Sequence, residues 1–272
     1  MKYKMIVLDL DDTLLRDDQT ISPRTKEALM NAQKEGVKVV LASGRPTFGM
    51  KGIAKELELE KFGSFILSFN GAKIINCRTE EVIFSSTLSV DTVQKLFGIS
   101  QREHLSMLTY LGDHIVTENR NEYTDIESGL TGMSIREVDS FVEAVNEPVV
   151  KVLMVDAPDK VAVAEKKLQP ELAGELSVMR SKLFFLEFTE AGVDKGTSLH
   201  QLIRHLGILQ EEVIAMGDSF NDLAMIRFAG LGVAMGNARD EIKDAADYVT
   251  DTNMNDGVAK VIEQFVLAYQ QA

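Results

Sequence analysis

Three carboxylates stand within four residues in Asp9-Leu10-Asp11-Asp12-Thr13-Leu14. They follow an apolar run, Lys4 to Leu10, that reads as a buried strand. The carboxyl ends of such strands are where open α/β sheets place their ligands. Alternate residues of an extended segment share a side, so Asp9 and Asp11 can face one pocket. Carboxylates this close repel one another unless a cation neutralises them, and an oxygen-only ligand set suits Mg²⁺. Asp9 could then attack phosphorus as a carboxylate nucleophile. Asp11 could protonate the leaving alcohol and later deprotonate the attacking water. Taken alone, the motif also fits a solvated acidic turn or a helix cap.

Three further segments bear on the same chemistry. Leu41-Ala42-Ser43-Gly44-Arg45 ends a second apolar strand and offers a hydroxyl, a flexible glycine and backbone N–H groups that can cradle a phosphate. Ser-Gly is equally a common turn. Asp194-Lys195-Gly196-Thr197 puts a lysine at a helix start, where the helix dipole disfavours a cation unless an anion sits beside it. A solvated surface lysine is the plain reading there. Met216-Gly217-Asp218-Ser219-Phe220-Asn221-Asp222 follows another strand, with Asp218 placed to hold a metal and Asn221 and Asp222 in the next turn. An N-terminal helix cap explains it as well. The argument rests on the set, because four strand-end loops together supply a nucleophile, a hydroxyl, a lysine and an acidic pair.

The elements that would position these loops are legible in the pattern. Ser22 caps and Pro23 opens a helix that Gly36 ends. Val37 to Ala42, Thr47 to Leu57 and Ser64 to Ser68 read as strand, helix and strand. The last third repeats the alternation: helix Thr197 to Leu206, strand Val213 to Met216, helix Asp222 to Phe228 and strand Leu231 to Ala234. Helix Ala238 to Ala246, strand Tyr248 to Thr250 and helix Val258 to Tyr269 follow. Alternation of this kind predicts an α/β fold, a parallel sheet with helices on both faces. The middle departs from it. Strands at Val82 to Ser86, Met107 to Leu111, Ile115 to Glu118, Val149 to Val155, Leu176 to Arg180 and Phe184 to Thr189 are joined partly by short turns. Helices are expected at Val90 to Gln101, Asn121 to Gly129, Ser140 to Val145 and Asp159 to Leu168. This predicts an inserted α+β domain, an antiparallel sheet with helices on one face.

With 272 residues, 45% hydrophobic and 26% charged, the chain suits two globular domains. A net charge of −13 argues against nucleic-acid binding and means that an anionic substrate needs local cations. No secretory signal or bilayer-length apolar run is expected, so no membrane role is expected either. One cysteine, Cys77, suits a reducing cytoplasm.

These segments make the chain similar to the haloacid dehalogenase superfamily, and within it to the Cof-type phosphatases. The matching stretches are DLDDTLL from Asp9, LASGR at Leu41 to Arg45, DKG at Asp194 to Gly196 and GDSFND at Gly217 to Asp222, in the family's order and spacing. The resemblance implies a Rossmann-like core over 1–83 and 190–272 and a type 2 cap domain over 84–189. It implies Mg²⁺-dependent hydrolysis of a small phosphorylated metabolite, often a sugar phosphate. It makes Asp9 the nucleophile and Asp11 the acid/base. Mg²⁺ would bind Asp9, the Asp11 carbonyl and Asp218. Ser43, the Gly44 N–H, Lys195 and Asn221 would hold phosphoryl oxygens, and Asp222 would orient ligands from behind. The cap would close over the site and select the leaving group. Asp12 stands where many members carry Gly and is read as a turn residue.

A phosphomutase on the same scaffold and a non-catalytic metabolite sensor are the alternatives. A dehalogenase needs neither Asp11 nor Asp218. His104, His114, His200 and His205 have no ligand spacing, and Cys77 and the 12 methionines read as packing. Asn70-Gly71 reads either as pocket lining or as a turn, and Glu187 as a possible substrate contact. Nothing in the sequence sets an oligomeric state.

Overall fold

The computed structural model describes residues 2–268. The expected end of the last helix at Tyr269 lies outside the described residues. The chain begins β1 (Met5–Leu8), α1 (Pro23–Lys34), β2 (Lys38–Ala42), α2 (Thr47–Glu56), α3 (Leu59–Phe62), β3 (Phe65–Ser68), β4 (Lys73–Asn76) and β5 (Val82–Ser85). It continues α4 (Val90–Glu103), β6 (Ser106–Leu111), β7 (His114–Thr117), α5 (Glu122–Thr131), β8 (Ser134–Glu137), α6 (Phe141–Ala144), β9 (Val152–Val155), α7 (Pro158–Glu171), β10 (Leu176–Lys182) and β11 (Phe185–Glu190). It closes with α8 (Lys195–Leu206), β12 (Val213–Gly217), α9 (Leu223–Phe228), β13 (Leu231–Ala234), α10 (Asp240–Lys243), β14 (Tyr248–Val249) and α11 (Gly257–Ile262). Among the described residues no helix is long and apolar enough to cross a membrane.

Two compact units result. The first takes the described residues through Phe84 and those from Asp194 onward; the second is Ser85–Val193, so it runs past residue 189. In the first unit the sheet order is β14-β13-β12-β1-β2-β3-β4-β5. Strands β14 to β3 are parallel, and β4 turns back antiparallel on β3. β1 is MIVL and fully buried, and its side chains alternate between two apolar layers. Ile6 and Leu8 pack in one layer with Ala28 and Leu29 of α1, Met50 of α2 and Val261 of α11. Met5 and Val7 pack in the other with Leu199 and Leu202 of α8 and Met225 of α9. The sheet is therefore covered on both faces.

Some sequence expectations need correction here. β5, expected among the inserted strands, completes the edge of the first unit's sheet. α10 stops at Lys243 rather than Ala246, because the chain tightens into i→i−3 bonds from Ala245 N–H to Ile242 O and from Ala246 N–H to Lys243 O. Cys77 is half-buried against the first apolar layer, and burial pushes its thiol up to about 12.

The second unit has a sheet of order β10-β11-β9-β6-β7-β8. Its pairs are antiparallel except for β7 and β8, which run parallel. A parallel pair needs a crossover, and α5 supplies it. Helices α4, α6 and α7 share one face, where Val93, Leu96, Phe141, Val161 and Leu168 pack on Met107, Met154, Leu186 and Phe188. α5 reaches the other face: Glu127 accepts from the Tyr110 hydroxyl at 2.6 Å. The helices are thus not confined to one face.

Candidate active site

Asp9 follows β1 directly and is held there by its N–H bond to Met216 O at 3.0 Å. The next residues form one wide turn, closed by Leu14 N–H to Asp9 O and Leu15 N–H to Leu10 O. Asp12 takes a left-handed conformation, φ +60. Asp tolerates that conformation better than most residues, which fits the turn role expected for it. The turn is braced from behind. Asn237, just past β13, donates from Nδ2 to Asp12 O at 2.8 Å and accepts from Asn253 N–H at 3.1 Å; Asn253 donates on to Leu15 O at 3.0 Å.

Lys195 is the first residue of α8 and is fully buried. Asp194 caps the helix, its Oδ1 accepting from Thr197 N–H at 2.7 Å. The Lys195 ammonium donates to Asp9 Oδ1 at 2.5 Å and to Asp222 Oδ1 at 2.6 Å. These carboxylates resolve the conflict of a cation at the positive end of a helix. Burial alone would lower the ammonium's pKa, but Asp222 and Asp9 outweigh it and hold the pKa above the ordinary value.

Asp222 takes three donors. Its Oδ1 takes Lys195, and its Oδ2 accepts from the N–H groups of Asp218 and Ser219 at 3.0 and 2.9 Å. Gly217 leaves the room this needs, since a Cβ there would lie 2.4 Å from Asp222 Cβ. Asp218 Oδ1 accepts from the Thr13 hydroxyl at 3.0 Å, which ties the fourth loop to the first.

Oxygens of Asp9, Asp218 and Asp222 lie within 4.8 Å of one another, the only group of three or more potential metal-ligating side chains among the described residues. Burial raises the Asp9 carboxyl well above its ordinary value; Asp222 and Asp218 add to this, and Lys195 offsets it only partly. Burial, Asp222 and Asp12 push Asp218 up to about 6, against the Thr13 hydrogen bond. One buried lysine therefore does not neutralise the cluster, and its oxygen-only donors fit a hard divalent cation. Asp9 and Asp218 are the side chains suited to hold it, because Asp222 is already committed to Lys195 and two backbone donors.

Ser43 and Gly44 follow β2. Ser43 is buried, and its Oγ accepts from Arg45 N–H at 3.2 Å, which leaves its hydroxyl proton to donate. Asn221 Nδ2 donates to Asn70 Oδ1 at 3.0 Å. Asn70 thereby enters the site together with Asn221 and Gly44. Asp11 carries its carboxylate to Arg45. Glu187 belongs to the second unit, where it is buried and accepts from Lys151 Nζ at 3.0 Å. Sequence reasoning missed the parts played by Arg45 and Asn237. Arg45 was visible as a cation two residues past Ser43, and Asn237 as a polar residue in a fifth strand-end loop.

The family model for haloacid dehalogenase-like hydrolases matches residues 6–262. A solved haloacid dehalogenase-like hydrolase from Bacteroides thetaiotaomicron is 47% identical, with a TM-score of 0.92 over 97% of this chain and 99% of its own. A solved HAD subclass IIB sugar phosphatase is 29% identical, with a TM-score of 0.80 over 96% and 98% of the two chains. A 5-amino-6-(5-phospho-D-ribitylamino)uracil phosphatase of Bacillus subtilis (strain 168) is 33% identical over 97% of this chain and 96% of its own.

Proposed function

Because this chain belongs to the haloacid dehalogenase-like hydrolases and is one of their Cof-type phosphatases, we propose that it hydrolyses phosphomonoesters of small metabolites, sugar phosphates foremost, with Mg²⁺ and through a phosphoryl group carried on Asp9. The observation that carries the reading is the buried chain Asp9–Lys195–Asp222 with Asp218 beside it. It fixes one oxygen of Asp9 and leaves the carboxylate backed by a cation at the end of a parallel strand. The sugar preference is supported by two similar proteins, one a sugar phosphatase and the other named for a phosphoribitylamino substrate.

In the first step an Asp9 oxygen forms a bond to phosphorus as the bond to the leaving oxygen breaks, and Asp11 gives that oxygen its proton. In the second, water passes a proton to Asp11 and attacks phosphorus, releasing Asp9. Lys195, the Ser43 hydroxyl, the Gly44 N–H and Asn221 hold the non-bridging oxygens. Asp222 keeps Lys195 and the Asp218 loop oriented throughout. Bound Mg²⁺, held by Asp9, the Asp11 carbonyl and Asp218, would neutralise the carboxylates and the phosphoryl charge. The second unit selects the leaving group. Phosphate release from a panel of phosphorylated metabolites, with MgCl₂ and with excess chelator, tests the reading. Turnover of several sugar phosphates that stops in chelator is expected. Full turnover in chelator, or none on any phosphomonoester, would overturn it.

A further inference from the structure

Phe69, Asn70 and Gly71 follow β3 with φ of +53, +54 and +104, the only three consecutive residues in the left-handed region among those described. For a residue as bulky as Phe69 this backbone is a genuine outlier, and backbone strain of this kind persists only where the surroundings over-determine it. The surroundings here are the site itself. Phe69 N–H donates to Arg45 O at 3.0 Å and Asn70 N–H to Ser43 O at 2.9 Å, so the turn is bolted to the loop that carries Ser43 and Gly44. On its other side the Ser198 hydroxyl donates to Gly71 O at 2.7 Å, and a Cβ on Gly71 would lie 2.5 Å from Asp194 O. The turn is therefore also fixed to the start of α8, the helix that Lys195 opens.

The Asn70 side chain lies over Gly44, where an added Cβ would come within 3.1 Å of its Nδ2. Its Oδ1 accepts from Asn221 Nδ2 at 3.0 Å. The amide of Asn70 thus touches two of the groups assigned to the phosphoryl oxygens. We infer that Asn70 is a positioning residue of the phosphoryl site: its amide oxygen fixes which end of the Asn221 amide faces the phosphate and holds that donor in register with the Gly44 N–H. This rests on the phosphatase reading given above. A left-handed turn with no other duty would be served better by glycine at position 70, which adopts this backbone without steric cost. What glycine would lack is the amide.

Asn70→Gly separates the two roles, because it keeps the backbone and removes only the side chain. The probes are inorganic phosphate with MgCl₂, titrated by calorimetry, and steady-state hydrolysis of a sugar phosphate. The expected result is an unchanged or raised Tm with a dissociation constant for phosphate weakened about tenfold and a lowered kcat. Asn221→Ala should do the same, and the double variant should be no worse than Asn221→Ala alone, since Asn70 acts through Asn221. Unaltered phosphate affinity and kcat in Asn70→Gly would overturn the inference, as would losses that multiply in the double variant. So would a fall in Tm large enough to account for the lost activity. A wild type whose phosphate affinity falls in Asn70→Gly yet which hydrolyses nothing would remove the phosphatase reading and leave this one. A wild type that binds no phosphate would remove both.

Discussion

Arg45 grips both carboxylate oxygens of Asp11, with Nε 3.0 Å from Oδ2 and Nη2 2.5 Å from Oδ1, and the same Nη2 donates to Gln19 Oε1 at 2.5 Å. Such a fork fixes orientation as well as charge. In this pose each oxygen takes one Arg45 donor and keeps a second lone pair open, so the fork sets which way the Asp11 carboxyl faces.

Arg45→Met should therefore leave an Asp11 that is intact but unanchored. The pair is part-exposed, so the stability change should stay within about 1 kcal/mol. Turnover of alkyl phosphates, which need a proton on the leaving oxygen, should fall roughly tenfold, and that of an activated aryl phosphate much less. Asp11→Asn should show the same contrast more strongly. Equal losses on both substrate types would mean that Asp11 is not the acid.

Asp9→Asn keeps the Lys195–Asp222 pair and should abolish turnover with a folded chain. Lys195→Met is different in kind. It leaves Asp9 and Asp222 buried without their cation, and breaking a buried pair in this way costs about 3–5 kcal/mol. Denaturant unfolding should report that loss for Lys195→Met and little for Asp9→Asn. Equal stabilities of the two variants would mean that the ammonium is not what holds the carboxylates together.

The acidic cluster also sets a pH dependence. Asp218 is pushed up to about 6 and Asp9 well above its ordinary value, so both bind protons more tightly folded than unfolded. Between the ordinary carboxylate range and about pH 6 the metal-free protein should gain stability from Asp218 as pH falls, and Asp9 acts in the same direction. A divalent cation competes with the same protons. The rise in Tm on replacing EDTA with MgCl₂ should thus be full above about pH 7 and shrink towards about pH 5. An equal shift at both values, or none, would speak against a cation on Asp9 and Asp218.

Two left-handed glycines make a paired test of backbone against space. Gly36 has φ +90 and nothing within 4 Å of an added Cβ, so Gly36→Ala should cost only the conformational strain, about 1–2 kcal/mol. Gly71 has φ +104, and its Cβ would meet Asp194 O at 2.5 Å, so Gly71→Ala should cost more and weaken phosphate binding as well. Chemical unfolding of both variants checks the order; a Gly36→Ala variant that is the less stable of the two would reverse it.

The four strand-end loops were legible because their chemistry is written in short contiguous motifs: Asp9 beside Asp11, Ser43 beside Gly44, and Asp218 four residues before Asp222. The alternation of apolar strands and helices made the parallel sheet legible for the same reason. What escaped was short or distant. β4, Lys73–Asn76, holds only two apolar residues, and β8, Ser134–Glu137, holds one, too few for a period to emerge. The reach of Asn237 back to Asp12 and of Asn221 across to Asn70 spans 225 and 151 residues. Side-chain bonds over such distances leave no local pattern to read. The parallel β7–β8 pair escaped because the strand at its far edge did.

The sheet order has a consequence for how the chain is made. β1 lies between β2 and β12, and β12 begins only at Val213. While the nascent chain is still short of that residue, Met5–Leu8 can pair on one side only, and its other edge is a row of unsatisfied backbone groups on an apolar strand, a template for aggregation. Roughly 130 residues separate the end of the first segment from β12, which at about 5–20 residues per second is on the order of ten seconds of translation. Ser85–Val193, being contiguous, can finish folding within that interval. Lys195 reaches Asp9 across 186 residues, so their ion pair waits for the last third of the chain, and a ribosome stalled before α8 would hold Asp9 with no lysine behind it.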